Sequence, residues 1–178
     1  MMEGRFLAFL VGLTLLFACH EIGAQFYDSE FDEKSWVEQQ TQLPSFPKAE
    51  GLIKISMQSM SAFDVAIDSG SVDIGKDGVV RYVLIAKSNR GSENISFEGI
   101  RCETRERKLY AIGKPDKTWG QVRNAVWTNY GVNTRSYHYE LANEYFCPEF
   151  KRVMTATEAL KNLKGGGVRR RQHPEFSE

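Results

Sequence analysis

The sequence predicts an α+β fold: an antiparallel sheet of about five or six strands in meander order, with two or three short helices packed on one face and one disulfide. Three observations carry this expectation. Between Leu52 and Gly113 the apolar residues recur with a period near two, the pattern of strands. After Lys114-Pro115-Asp116 the spacing lengthens toward that of helices. Downstream of an apolar leader two cysteines remain, Cys102 and Cys147.

The leader comes first. Arg5 precedes an uninterrupted apolar run, FLAFLVGLTLLFA, at residues 6–18. A bilayer span needs about 20 residues. The shorter run suits the core of a secretory signal, so residues 1–24 are expected to be a signal peptide. Two processing sites compete. Ile22-Gly23-Ala24 before Gln25 fits an ordinary signal peptidase, and this is the favoured reading. Leu16-Phe17-Ala18-Cys19 is similar to a lipobox and would make Cys19 a lipidated first residue, although Phe17 occupies a slot that usually holds a small side chain. Residues 25–50 form an acidic arm carrying Asp28, Glu30, Asp32, Glu33, Glu38 and Glu50 against Lys34 and Lys48. SWVEQQ can make a turn or two of helix. Leu43-Pro44-Ser45-Phe46-Pro47 must run extended, because proline disfavours helix in the residue before it. Trp36 and Phe46 are the expected docking points of this arm on the domain.

A single domain is expected over residues 51–164. LIKISM and FDVAID read as strands. VDIG, a turn at Lys76-Asp77-Gly78 and VVRYVLIAKS make a hairpin, since Asp-Gly is a strong turn signal. VVRYVLIA is apolar on both faces, with Val80, Tyr82 and Leu84 one way and Val79, Val83 and Ile85 the other, which predicts a central strand covered on both sides. A polar loop at residues 89–94 leads into ISFEGIRCET, where Gly99 marks a bulge or a close approach. KLYAIG returns after a turn at residues 104–107. Beyond Pro115, Thr118 and Gln121 have capping-box spacing. Trp119, Val122, Val126 and Tyr130 recur at helical intervals, predicting a helix over 119–130. A second helix is expected in SYHYELANEYFC, where Tyr137, Leu141 and Tyr145 share a stripe and Pro148 stops it. The last helix has Thr155 as cap, Glu158 three residues on, an apolar face of Ala156, Ala159, Leu160 and Leu163, and Gly165-Gly166-Gly167 at its end. Residues 165–178 are expected to be a flexible basic tail.

Composition narrows the function. The chain has 178 residues, 42% apolar and 26% charged, enough to bury one ordinary core. Its formal net charge is zero, so no global field recruits nucleic acid. Cys19 belongs to the export segment, and two cysteines left in an exported protein read as one disulfide, Cys102–Cys147. No CxxC occurs, and His138 and His173 are too few for a zinc site, which needs about four ligands at short paired spacings. A cysteine held in a disulfide supplies no thiolate nucleophile. The expectation is therefore no catalytic centre, no cofactor and no metal.

Several pieces occur in order: Trp36-Val37-Glu38 followed by Leu43-Pro44, then DGVVRYVLIAKS, FEGIRC, KLYAIG and a late cysteine before Pro148. In this set the chain resembles the cryptic neisserial protein-like family of Gram-negative envelope proteins, over roughly residues 34–150. The resemblance implies an exported domain with no assigned activity, and it carries over no catalytic residue.

The candidate sites follow. Arg81, Glu98 and Arg101 stand on neighbouring strands, and Arg81 with Arg101 could build a site for an anionic ligand; the plainer reading is a cross-strand ion pair on an exposed face. By alternation Glu98 shares the face of Cys102, and Arg101 looks the other way. Trp119, Trp127, Tyr130, Tyr137, Tyr139, Tyr145 and Phe146 could line a groove, or form a core layer between helices and sheet. His138 with Glu140 or Glu144 could be acid–base partners, but the first pair is two apart and does not share a helical face. Arg169-Arg170-Arg171 could touch anionic lipid or simply be solvated. The leading expectation is a periplasmic, non-catalytic envelope domain that binds a protein or envelope component, touching membrane only if Cys19 is lipidated or the arginine tail meets anionic lipid. Two alternatives stand beside it: a small-ligand binder using an aromatic groove with Arg101, and an envelope-polymer hydrolase using carboxylates such as Glu98.

Overall fold

The computed structural model describes residues 35–131, 133 and 136–168. The signal segment 1–24, Cys19, the acids of residues 25–34 and Arg169-Arg170-Arg171 lie outside the described residues. From Trp36 onward the described residues form one compact unit.

Seven strands build one antiparallel sheet: β1 (Leu52–Ile55), β2 (Phe63–Ile74), β3 (Val79–Ser88), β4 (Glu93–Arg101), β5 (Glu106–Gly113), β6 (Trp119–Gln121) and β7 (Thr128–Asn129). Their order is β1-β2-β3-β4-β5-β6, an unbroken meander, with β7 also on β5. The short β6 and β7 share the outer edge of β5, pairing its C-terminal and N-terminal ends respectively. The hairpin β2–β3 turns through Gly78, whose φ of 81° is cheap only for glycine. Between Asp68 and Asp73 the register of β2 slips against β3. There the Ser71 hydroxyl donates to the Asp68 carbonyl at 2.7 Å and accepts from the Val83 amide at 2.8 Å, replacing the missing ladder bonds.

β3 is buried on both sides, as its double apolar pattern requires. Val80, Tyr82, Leu84 and Ala86 face the helices, and Val83 and Ile85 face the opposite side. The helical layer consists of α1 (Tyr137–Leu141), a π-helical turn (Ala142–Phe146) and α2 (Ala156–Lys164). Ser136 caps α1, its hydroxyl accepting from the Tyr139 amide. Thr155 caps α2, its hydroxyl accepting from the Glu158 amide, while the Glu158 carboxylate accepts from Met154 N–H. Cys102, in the turn just past β4, is bonded to Cys147, where the π turn ends, with Cα atoms 5.6 Å apart. The disulfide thus ties the helical layer to the sheet, and both cysteines are buried.

The expected helix over 119–130 is absent, and β6 and β7 take its place. The helical interval was deceptive because Val126 is 64% exposed, so the supposed stripe is not a buried face. The outer edge of β5 instead recruits this segment: the Val122 amide donates to Tyr110 O at 3.0 Å. SWVEQQ likewise forms no helical turn. Residues 36–47 lie without helix or strand over the second face of the sheet, where Leu43 packs with Val83, Ile85, Phe97 and Ala111. Phe46 lies 5.2 Å from the Trp119 ring, and Trp119 Nε1 donates to Pro44 O at 2.8 Å. Gly99 is a close approach: a Cβ there would stand 2.9 Å from the Tyr110 ring and 3.0 Å from Val79 Cγ1.

Candidate functional site

The sheet buries one carboxylate on its helix side. Glu98 in β4 stands opposite Tyr82 in β3, two residues past Ser96 on the same face, and is only 3% exposed. A buried carboxylate costs several kcal/mol unless its oxygens are satisfied. Here four donors satisfy them. The Tyr82 hydroxyl and His138 Nε2 each lie 3.0 Å from Oε2. The Ser96 and Tyr137 hydroxyls lie 2.7 and 3.1 Å from Oε1. Tyr137 and His138 are consecutive residues of α1 whose rings stack with centroids 3.8 Å apart. Each reaches a different oxygen, so the first turn of α1 is clamped to β4 by a single side chain.

The electrostatics follow from this geometry. Burial alone would raise the Glu98 pKa, but hydrogen bonds from His138, Ser96 and Tyr82 and the charge of His138 outweigh it and hold it below the ordinary carboxylate value. Burial, and after it the Glu98 charge, push the phenols of Tyr82 and Tyr137 upward, so both remain donors.

Beside this cluster a cleft of about 310 Å³ opens on the same face. Leu84 and Ala86 form its buried part, and Met60, Phe63, Leu109 and Ile112 contribute further apolar wall. Phe63 and Ile112 are 38% and 50% exposed, which places the mouth at their side chains. Its polar lining is Glu98, Ser96, Tyr137, Asn94 and Arg107. Arg107 is half-buried, and among the described residues its guanidinium has neither a hydrogen bond nor an ion pair.

The residues singled out in the sequence divide between the two faces. Of them, Glu98 and Tyr137 lie at this cleft. Arg81 is buried on the other side, in a bidentate pair with Asp77 at 2.6 and 3.1 Å. Arg101 stacks over Trp36, its guanidinium carbon 4.0 Å from the ring centroid. Trp127 meets Trp36 edge-on at 5.8 Å and donates to Glu38 at 3.1 Å. Trp119 is held by Phe46 and Pro44. Arg81, Arg101, Trp119 and Trp127 therefore hold the arm, and Arg101 lies on the face away from Glu98. The aromatic group divides in the same way, with Tyr130, Tyr137, Tyr139, Tyr145 and Phe146 packed on the helix side.

Glu38 is the polar centre of the arm's attachment. Lys108 Nζ, the Tyr110 hydroxyl and Trp127 Nε1 donate to it at 2.7, 2.9 and 3.1 Å. Burial raises its pKa, but these three bonds and the Lys108 charge bring it below the ordinary value.

Sequence reasoning missed the partners of Glu98. His138 was weighed only against Glu140 and Glu144, its neighbours in the chain, whereas Glu140 accepts from the Gln58 and Ser59 amides and the Ser59 hydroxyl. The available signal was parity: a carboxylate on the same face as Cys102 must be buried, and a buried carboxylate needs donors from the layer above it. Among the described residues no group of three or more His, Cys, Asp or Glu side chains could hold a metal ion, and no helix is long and apolar enough to cross a membrane.

Searches of curated proteins and of solved structures return no match. A family model does match, over residues 31–164, which include residues 36–47 of the arm, the whole sheet, the disulfide and both helices. The chain belongs to the CNP1-like family.

Proposed function

We propose that this protein is an exported, non-catalytic binding domain of the cell envelope, and that its binding surface is the cleft beside Glu98. The observation that carries the reading is the cleft itself: an opening of about 310 Å³ with a mostly apolar lining and a few convergent polar groups. Ligand pockets have this composition and start near this size, about 300 Å³. A cleft of about 420 Å³ also opens on the arm side, between residues 39–44 and the sheet, but its lining is largely polar, with Gln39, Gln42, Asp73 and Arg81 among it; the helix-side cleft is the one with an apolar interior.

The state of Glu98 supports binding over acid–base chemistry. A general base needs a free lone pair and a pKa near the working pH. Glu98 has four donors on its two oxygens and a lowered pKa. Paired-carboxylate hydrolysis needs a second acid within about 5–9.5 Å, and among the described residues Glu98 is the sole acid lining the cleft. Export rests on the signal-like residues 1–24 alone. Sequencing the mature N-terminus decides between a start at Gln25 and a lipidated Cys19; retention of Met1 in envelope fractions would defeat both.

Phenylnaphthylamine, a neutral apolar fluorophore, tests the cleft. Saturable enhancement with one site per chain is expected, and Ile112→Trp, which places a larger ring at the mouth, should abolish it while the melting temperature stays within a few degrees. No enhancement, or enhancement indifferent to Ile112→Trp, refutes the cleft as the binding surface.

A further inference from the structure

Resting on the cleft as the binding surface, we propose that its ligand is a single-chain amphiphile with a carboxylate head: the carboxylate pairs with Arg107, and the apolar chain lies against Phe63, Leu109 and Ile112. The argument starts from the charge. Arg107 lines an apolar cleft, is half-buried, and lacks a hydrogen-bonding or ionic partner among the described residues. A partly desolvated guanidinium whose N–H groups have no protein acceptor is costly. Glu98 lines the same cleft, but its two oxygens accept from Tyr82, His138, Ser96 and Tyr137 and make no ion pair with Arg107.

The guanidinium presents parallel N–H donors that match the two oxygens of a carboxylate. The rest of the lining restricts what can be attached to that head. With Met60, Phe63, Leu84, Leu109 and Ile112 as walls, the attached group must be apolar. A glycan would leave its hydroxyls unpaired there. A polyanion would find one cation in the lining where it needs several. A volume of about 310 Å³ sits at the low end of ligand pockets, which suits one chain and not a two-chain lipid.

Competition against bound phenylnaphthylamine tests this on the purified protein, using decanoate, decanol and decyltrimethylammonium below their micelle concentrations. These probes share a chain and differ in head charge. Decanoate should displace the fluorophore about ten- to hundredfold better than decanol, the range for a hydrogen-bonded pair with a charged partner, and decyltrimethylammonium should be the weakest. Arg107→Gln should bring decanoate to the level of decanol, and Arg107→Lys should keep part of the preference. Equal displacement by all three in the unsubstituted protein overturns the carboxylate assignment while leaving the cleft reading intact. So does failure of all three when phenylnaphthylamine binds and Ile112→Trp abolishes that binding. Failure of phenylnaphthylamine to bind at all defeats the cleft reading instead. Should Arg107→Gln not fold, the ranking of the three heads in the unsubstituted protein decides.

Discussion

Replacing Glu98 by leucine removes the acceptor on which β4 and α1 converge. The substitution leaves the buried His138 and the hydroxyls of Tyr82 and Tyr137 facing an apolar side chain. Each buried hydrogen-bonding group left without its partner costs about 1–3 kcal/mol, so stranding these groups takes a large share of the roughly 5–15 kcal/mol that holds a domain folded. Glu98→Gln keeps the shape and loses the charge. Since hydrogen bonds to a charged group exceed neutral ones by about 1 kcal/mol, it should cost about 1–3 kcal/mol in all. Glu98→Leu with His138→Leu should be less damaging than the sum of the two single changes, because the double variant leaves neither partner stranded. Urea unfolding followed by far-ultraviolet circular dichroism measures each term. The sign of the pH dependence is also determined. The folded pKa of Glu98 lies below its unfolded value, about 4.3 for a free glutamate. Its contribution is therefore complete above that value and is lost as pH falls through the lower, folded one. The stability difference between the unsubstituted protein and Glu98→Gln should shrink as pH falls below about 4. A Glu98→Leu loss under about 1 kcal/mol, with an unchanged denaturant slope, would refute the clamp.

Two further outcomes follow from the same structure. Cys102→Ser with Cys147→Ser opens a link between residues 45 apart in sequence, worth at most about 4 kcal/mol in the chain-entropy account, so both the double variant and the reduced protein should melt well below the oxidised one; coincident melts would contradict it. Trp36→Ala removes the stack on Arg101 and the edge contact with Trp127, about 1.5 kcal/mol together, and should speed proteolysis at Lys48 about tenfold; Glu38 is ionised in the docked arm with a lowered pKa, so the same cleavage should quicken as pH falls below about 4, and cleavage that ignores both changes would show that the arm is not held by these groups.

Much of the fold was legible where a local rule sufficed. The double apolar pattern of residues 79–88 specified a central strand because a strand covered on both faces has no polar side to show. Thr155 and Glu158 marked the start of α2 because the first amides of a helix need acceptors. Cys102 and Cys147 were legible as a pair by count, and parity separated Glu98 from Arg101. The interval Trp119, Val122, Val126, Tyr130 misled because spacing records where apolar residues fall and not which surfaces they meet; the free edge of β5 outweighed it.

By itself, then, the sequence determined the meander, the cap of α2, the disulfide and the face on which Glu98 lies, since each depends on period, short-range hydrogen bonding or residue count. Only the tertiary structure decided that His138, 40 positions away, would be its partner, that Trp36 would lie under Arg101, and that Arg107 would line a largely apolar cleft without an ion pair among the described residues. Those meetings depend on strand register and on where the helical layer lands. They arise from side chains far apart in the chain satisfying one another once the core has closed, and no local pattern encodes which of them will meet.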